Sequence, residues 1–224
     1  MTNQITLATL AVTRPGATRF FLEHQLDFCC NGRRTLNEAC VAAGLDPIEA
    51  LRSIDALDAA GGHLTEIARQ PLDALIEHIV DHYHARLRTD LSDVIGMAEK
   101  VERVHAERES CPRGLAALLA QMHAAVLDHL AKEEQVLFPL ILAGRGPLAH
   151  CPVQMMEMEH EEHGRTLERL RKTCHDFEPP AEACTTWRAL YLRLRQMSDE
   201  LMEHIHLENN VLFPRALLND GRSS

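Results

Sequence analysis

The sequence predicts an all-α protein, a four-helix bundle preceded by a small helical N-terminal domain. Three observations predict it. Aromatic residues are scarce at 4%, while Ala, Leu, Glu and Arg dominate, a balance that favours helix over strand. Apolar residues recur by threes and fours through four long stretches separated by Gly and Pro breaks. A segment ending in Val-Leu-Phe-Pro occurs twice, which points to a duplicated helical hairpin.

The N-terminal domain is expected over residues 1–62. Pro15 can open a helix carrying Phe20, Phe21 and Leu22. Thr35-Leu36-Asn37-Glu38 has the form of a capping box, and Gly44 suits the end of that helix. Asp46-Pro47 starts another helix, which Gly61-Gly62 ends, and a polar connector follows to Gln70. The bundle is expected over residues 71–218. Its first helix runs from Pro71 to about His105, and Pro112 opens the second, which lasts to about Leu142. After Gly144-Arg145-Gly146-Pro147, Pro152 opens the third, which ends before Pro179-Pro180. The fourth starts at Thr185 or Thr186 and reaches about Leu218.

Composition excludes several partners. The net charge is −10 with no long basic run, which argues against nucleic acid and anionic membranes. No apolar stretch approaches the roughly 20 residues that span a bilayer. The first residues, MTNQITLATLAVTRPG, show no secretory signal, so the chain reads as cytoplasmic. Seven scattered cysteines read as reduced thiols rather than a disulfide scaffold. Fourteen histidines are an excess that makes metal binding worth testing.

The repeat locates a candidate site. His129-x-x-x-Glu133 with Phe138-Pro139 matches His204-x-x-x-Glu208 with Phe213-Pro214, 75 residues later. His84 lies 45 residues before His129, and His160 lies 44 before His204. The result is two parallel sets, His84, His129, Glu133 and His160, His204, Glu208. Residues four apart share one helix face. On the second helix His129 and Glu133 continue the stripe Leu115, Leu118, Leu119, Met122, Val126 and lead to Val136 and Leu137. On the fourth, His204 and Glu208 continue Trp187, Leu190, Tyr191, Leu194, Met197, Leu201. On the third, His160 shares a face with Val153, Met156, Leu167, Leu170 and Cys174. On the first, phase and repeat spacing select His84 over His78 and His82.

Both His/Glu pairs therefore fall in buried stripes. Two buried carboxylates cost several kcal/mol each without a compensating partner. Few basic residues share those stripes, so a bound cation is the natural compensation. A lone His-x-x-x-Glu is more often a surface ion pair, but six residues buried in phase and duplicated at one period are not. Four imidazoles and two carboxylates suit Fe, Mn or Zn, and shared ligands with open positions suit a di-iron centre better than a closed zinc site. A ferritin-like set would use Glu-x-x-His motifs. Glu157-x-x-His160 fits that pattern, but the first helix offers only Asp81-x-x-His84. The inward His-x-x-x-Glu pairs favour a histidine-rich, hemerythrin-like four-helix bundle instead.

At these residues the chain resembles the RIC family, the di-iron proteins for repair of iron centres, with its nitric-oxide-responsive relatives. The resemblance rests on Asp27-Phe28-Cys29-Cys30-Asn31-Gly32, Tyr83-His84, Lys100-Val-Glu-Arg-Val-His105 and His129-x-x-x-Glu133-Glu134. It continues through Glu159-His160, Glu182-Ala-Cys184-Thr-Thr-Trp187 and His204-Ile-His-Leu-Glu208-Asn-Asn-Val-Leu-Phe-Pro. It implies two non-haem iron ions joined by an oxo or hydroxo bridge. His84, His129, His160 and His204 would be terminal ligands, and Glu133 and Glu208 would bridge. It also implies a role in repairing iron-sulfur clusters damaged by nitrosative or oxidative stress, by supplying iron rather than by turnover. Damaged iron-sulfur proteins would then be the partners, with nitric oxide or oxygen as small ligands. The alternative is a protein that binds, scavenges or reduces nitric oxide. The oligomeric state stays open, a homodimer included. Cys29 and Cys30, followed by Gly32-Arg33-Arg34, read either as thiols in an electropositive stretch that suits a thiol relay or as thiols that merely pack in the small domain.

Overall fold

The structure is a computed structural model that describes residues 5–58 and 63–218. Among these residues there is no strand, only an isolated bridge between Thr6 and Thr35. Among the described residues no helix is long and apolar enough to cross a membrane.

The N-terminal helices are α1 (Leu7–Thr13), α2 (Ala17–Glu23), α3 (Leu36–Ala43) and α4 (Pro47–Asp58). They close around Leu7, Leu10, Phe20, Phe21, Phe28, Cys40 and Ile54. The expected local signals act as expected. The Thr35 hydroxyl accepts from Glu38 N while the Glu38 carboxylate accepts from Thr35 N, and Gly44 ends α3 at φ 72°. Asp46 caps α4 through the backbone N–H groups of Ile48 and Glu49. Helix α1 was not anticipated from the sequence. Thr6 caps it, and Leu7, Leu10 and Ala11 form its buried face. The expected stop at Gly61-Gly62 lies outside the described residues. Within the connector thought to be polar and open, α5 (His63–Ile67) forms and buries Leu64.

The four bundle helices form where expected, with three of them interrupted. The first consists of α6 (Leu72–His78), a wide π-helical turn at Ile79–His84, and α7 (Ala85–Val104). The second consists of α8 (Leu115–Lys132), a π turn at Glu133–Leu137, and α9 (Phe138–Leu142). The third, α10 (His150–Thr173), is continuous. The fourth consists of α11 (Thr185–Leu207), a π turn at Glu208–Leu212, and α12 (Phe213–Leu218). The second helix starts at Leu115 rather than Pro112, because Gly114 takes φ 84° and turns the chain there.

The repeated Phe-Pro explains two of the wide turns. A proline inside a helix has no N–H to donate, and its ring crowds the carbonyl four residues back. A π turn just ahead relieves this by letting Phe138 N donate to Glu133 O and Phe213 N to Glu208 O, five residues back. The added residue also re-phases the helix. Leu137 and Phe138 stay buried while Val136, expected in the core stripe, turns outward at 52% exposed. Its counterpart Val211 is 3% exposed, because the N-terminal α1 lies against that turn.

The bundle core falls into two apolar clusters. One is built on Leu87, Leu91, Leu119, Val126, Leu130, Trp187, Leu194 and Ile205. The other is built on Ile79, Tyr83, Leu137, Phe138, Met156, Leu207 and Phe213. On every helix the candidate ligands lie where one cluster gives way to the other. The polar layer is thus sealed above and below by hydrocarbon.

Candidate metal centre

All six residues selected from the repeat converge in this layer. His84, Glu133 and Glu208 are fully buried, as is His160, with His129 and His204 nearly so. Their ligand atoms form two sets that share both carboxylates. One set is His84, His204, Glu133, Glu208 and the other His129, His160, Glu133, Glu208, each with its atoms within 4.8 Å of one another. Glu133 Oε2 stands 3.5 Å from His84 Nε2 and 3.4 Å from His129 Nε2, one histidine of each pair. Glu208 turns Oε1 to His204 Nε2 at 3.0 Å and Oε2 to His160 Nε2 at 3.2 Å. Both carboxylates therefore reach across the two sets.

Whether these residues suit a metal can be judged from their protons. His129 Nδ1 faces Glu159 Oε2 at 2.9 Å, so that nitrogen must carry the hydrogen. His160 Nδ1 faces Asn209 Oδ1 at 2.7 Å, and the Asn209 orientation is fixed because its Nδ2 donates to Cys29 O at 3.2 Å. With both rings neutral, each Nε2 is a bare lone pair, yet the two stand 3.0 Å apart. Two ligands on one ion at about 2.1 Å, at right angles, lie about 3 Å apart. Beside them, none of the four carboxylate oxygens of Glu133 and Glu208 has a hydrogen-bond partner. Facing lone pairs next to unpartnered buried carboxylates repel one another unless a cation lies between them. The donor set fits a hard-to-borderline metal.

The electrostatics agree. Burial lowers His84 to about 4 and lowers His129 further, so both are neutral imidazoles ready to ligate. Burial and the neighbouring Glu208 push Glu133 well above the ordinary carboxylate range. Burial also works against ionised Glu208, but His204 and His160 outweigh it and hold that group below the range. Two carboxylates this close do not both ionise in the core on their own.

Residues 75–216 match the family described as hemerythrin HHE cation binding domain, and residues 3–58 match ScdA_N, a domain of unknown function (DUF542). The iron-sulfur cluster repair protein YtfE of Yersinia pseudotuberculosis serotype IB (strain PB1/+) is 47% identical over 212 residues, covering 94% of this chain and 96% of that protein. The YtfE protein of Yersinia pestis (strain Pestoides F) matches to the same extent. The chain belongs to this hemerythrin HHE family.

Hemerythrin-type ligands need orientation, and the repeat supplies it twice. The residue after each shared glutamate reaches the neighbouring histidine. Glu134 Oε1 accepts from His84 Nδ1 at 2.7 Å, and Asn209 does the same for His160. Phe138 and Phe213 of the repeated motif stack on His84 and His160 at centroid distances of 5.8 and 6.0 Å. The residue before each of those histidines serves the other pair. Glu159 fixes His129, whereas its counterpart Tyr83 stacks on His204 at 5.5 Å. Arg88 and Lys132 brace Glu134 and Glu159 from outside. Sequence reasoning gave none of these outer residues a role. Glu134, Asn209, Glu159 and Tyr83 each adjoin a candidate ligand in the chain, but that adjacency does not say which histidine they reach. His163 was also missed. It is buried edge-on against His129 at 5.0 Å, and burial lowers it to about 4.

The Cys29-Cys30 pair lies in the loop between α2 and α3, beside the bundle. Cys30 Sγ approaches His160 O at 3.4 Å, and Asn210 Nδ2 donates to Phe28 O at 3.1 Å. The expected electropositive setting is not there. Arg34 turns away to Glu38 O, and the groups facing the Cys29 thiol are Cys30 at 3.6 Å and Asp27 at 3.3 Å. The Cys30 sulfur, burial and the Asp27 carboxylate push the Cys29 thiol well above the ordinary thiol range. Nearness in sequence to Arg34 misled because its guanidinium is drawn to Glu38 O instead.

Proposed function

We propose that the chain holds two non-haem iron ions between its bundle helices and supplies iron to iron-sulfur clusters damaged by nitrosative or oxidative stress. His84 and His204 would hold one ion and His129 and His160 the other, with Glu133 and Glu208 shared between the two sets. The observation that carries the metal assignment is the pair of facing lone pairs on His129 and His160 beside two unpartnered buried carboxylates. The choice of iron and the repair role rest on the YtfE relatives, whose name states that role.

When bound, the iron pair would supply an exchangeable, redox-active store. Glu133 and Glu208 offer two negative charges directly to the ions, while Glu134 and Glu159, each paired with a cationic side chain, support the histidines from behind. Glu134, Glu159 and Asn209 fix three imidazoles with Nε2 inward, so those rings lose no freedom on loading. The apolar clusters on both sides exclude bulk water from the ligands. Cys29 and Cys30, next to His160, are placed to relay what leaves the centre.

The test is transfer. Iron-loaded protein is incubated with a cluster-damaged iron-sulfur enzyme, and iron in each protein is measured with the enzyme's activity. The expected result is loss of bound iron matched by recovery of the cluster. Recovery without loss of iron, or loss without recovery, contradicts iron supply. Repair that proceeds unchanged in Cys29→Ala/Cys30→Ala overturns the relay.

A further inference from the structure

We propose that Asp27, Cys29 and Cys30 form a second metal site, separate from the bundle centre, that takes one borderline-soft divalent cation. The three residues offer a carboxylate oxygen and two sulfurs within 4.8 Å of one another, with Cys29 buried and the other two half-buried. None of them belongs to the central set.

The spacing is that of a coordination face. Cys29 Sγ lies 3.6 Å from Cys30 Sγ and 3.3 Å from Asp27 Oδ1. A tetrahedral ion with metal–sulfur bonds of about 2.3 Å and metal–oxygen bonds of about 2.1 Å sets those edges at about 3.8 and 3.6 Å. The carboxylate is already aimed. Its Oδ1 accepts from Cys30 N at 2.9 Å and Asn31 N at 3.3 Å, and its Oδ2 accepts from Asn31 Nδ2 at 2.7 Å. Turn capping alone would account for Asp27. It does not account for two thiols crowded against that carboxylate, an arrangement that disfavours thiolate and that a cation reverses.

Loading moves no electrons. The ion binds two thiolates and one carboxylate, and the two thiol protons pass to solvent, so affinity rises with pH. Sulfur ligands select iron, zinc or cobalt over magnesium or calcium. In the cell the ion is ferrous iron, an identity that rests on the repair reading; the site itself does not. Its position suits a halfway station. The Asn209 amide joins the Cys29 carbonyl to His160 of the central set. On the other side Cys29 lines a cavity of about 600 Å³ between the N-terminal helices and the bundle, with Leu22, Asp27, Gly164, Met202 and Glu203. That cavity leaves the fourth coordination position open to water or to a ligand from a client.

The experiment titrates Co²⁺ into the reduced full-length chain carrying Glu133→Leu/Glu208→Leu, which silences the central site. One Co²⁺ per chain, with thiolate-to-cobalt charge-transfer absorption, is expected. The band should vanish in the same chain with Cys29→Ser/Cys30→Ser. Asp27→Asn should weaken binding roughly tenfold or more, the loss expected even from an outer carboxylate. Should the silenced chain not fold, iron-loaded wild type is titrated with Cd²⁺, and a third metal equivalent with cadmium–sulfur absorption is expected. No thiolate band, or a band that survives the serine substitutions, overturns the site. Iron content of Cys29→Ser/Cys30→Ser protein separates this failure from failure of the central reading, because two retained irons leave that reading standing. A cobalt site in a chain that never holds iron would keep the site and remove ferrous iron as its ion.

Discussion

At the scale of single residues, the centre depends as much on the side chains behind the ligands as on the ligands. Asn209 and Glu159 each fix the tautomer of one histidine, and Asn209 also holds the Cys29 carbonyl. Asn209→Leu and Glu159→Gln should each weaken iron binding roughly 10- to 100-fold, read by competition with a chelator. Unchanged affinity in both would show that the ligand orientations need no such support. The convergence of the six candidate ligands was legible in the sequence, because burial phase and the 75-residue repeat meet on them. Their outer partners were not. The hydrogen bond from His129 to Glu159 crosses between helices, and no spacing along the chain encodes it. The repeat also hides the shared role of Glu134 and Asn209, which are different residue types doing one job. The Cys29 setting was misread for the opposite reason, since charges adjacent in sequence were taken as adjacent in space.

At the scale of elements, the wide turns are the main departure from four regular helices. Two of them have a cause in the sequence, the Phe-Pro that no regular helix accommodates. The third, at Ile79–His84, has no proline, and nothing in the sequence marks it. The two copies of Val-Leu-Phe-Pro are not equivalent, because α1 packs on the turn of the second, where Val211 is buried while Val136 is exposed. Val211→Ala should therefore cost about 2 kcal/mol of stability, while Val136→Ala stays within about 0.5 kcal/mol, measured by denaturant unfolding. Equal costs would contradict the docking of α1. The capping box on α3 carries a pH signature. Hydrogen bonds from Thr35 hold the Glu38 carboxyl below its ordinary value. Its contribution is thus complete above the unfolded carboxyl pKa and disappears as pH falls through the depressed one. Wild type and Glu38→Gln should differ in thermal midpoint near neutrality and converge in acid. A difference that persists in acid would remove the box from the account.

At the scale of the whole molecule, the protein places a charged layer where two hydrophobic clusters would otherwise merge. Such a layer stabilises nothing by itself. In chelator-treated protein, Glu133→Leu/Glu208→Leu should be as stable as wild type or up to about 4 kcal/mol more stable, because buried charge is exchanged for hydrocarbon. Marked destabilisation without metal would mean that the two glutamates serve the fold and not an ion. The general architecture was legible, since helix periodicity and the Gly and Pro breaks delimit the bundle. The docking of the N-terminal helices was not. It depends on Asn209, Asn210 and the buried His206, which packs on Phe28 at 5.2 Å, and these read as ordinary polar residues in one dimension.

The most direct test of the central claim is the metal content of the purified chain, determined by elemental analysis on wild type and on Glu133→Leu/Glu208→Leu. Six candidate ligands in two sets that share both carboxylates predict that the variant holds about two fewer iron atoms per chain than wild type. A folded variant that retains its full iron content would contradict the assignment.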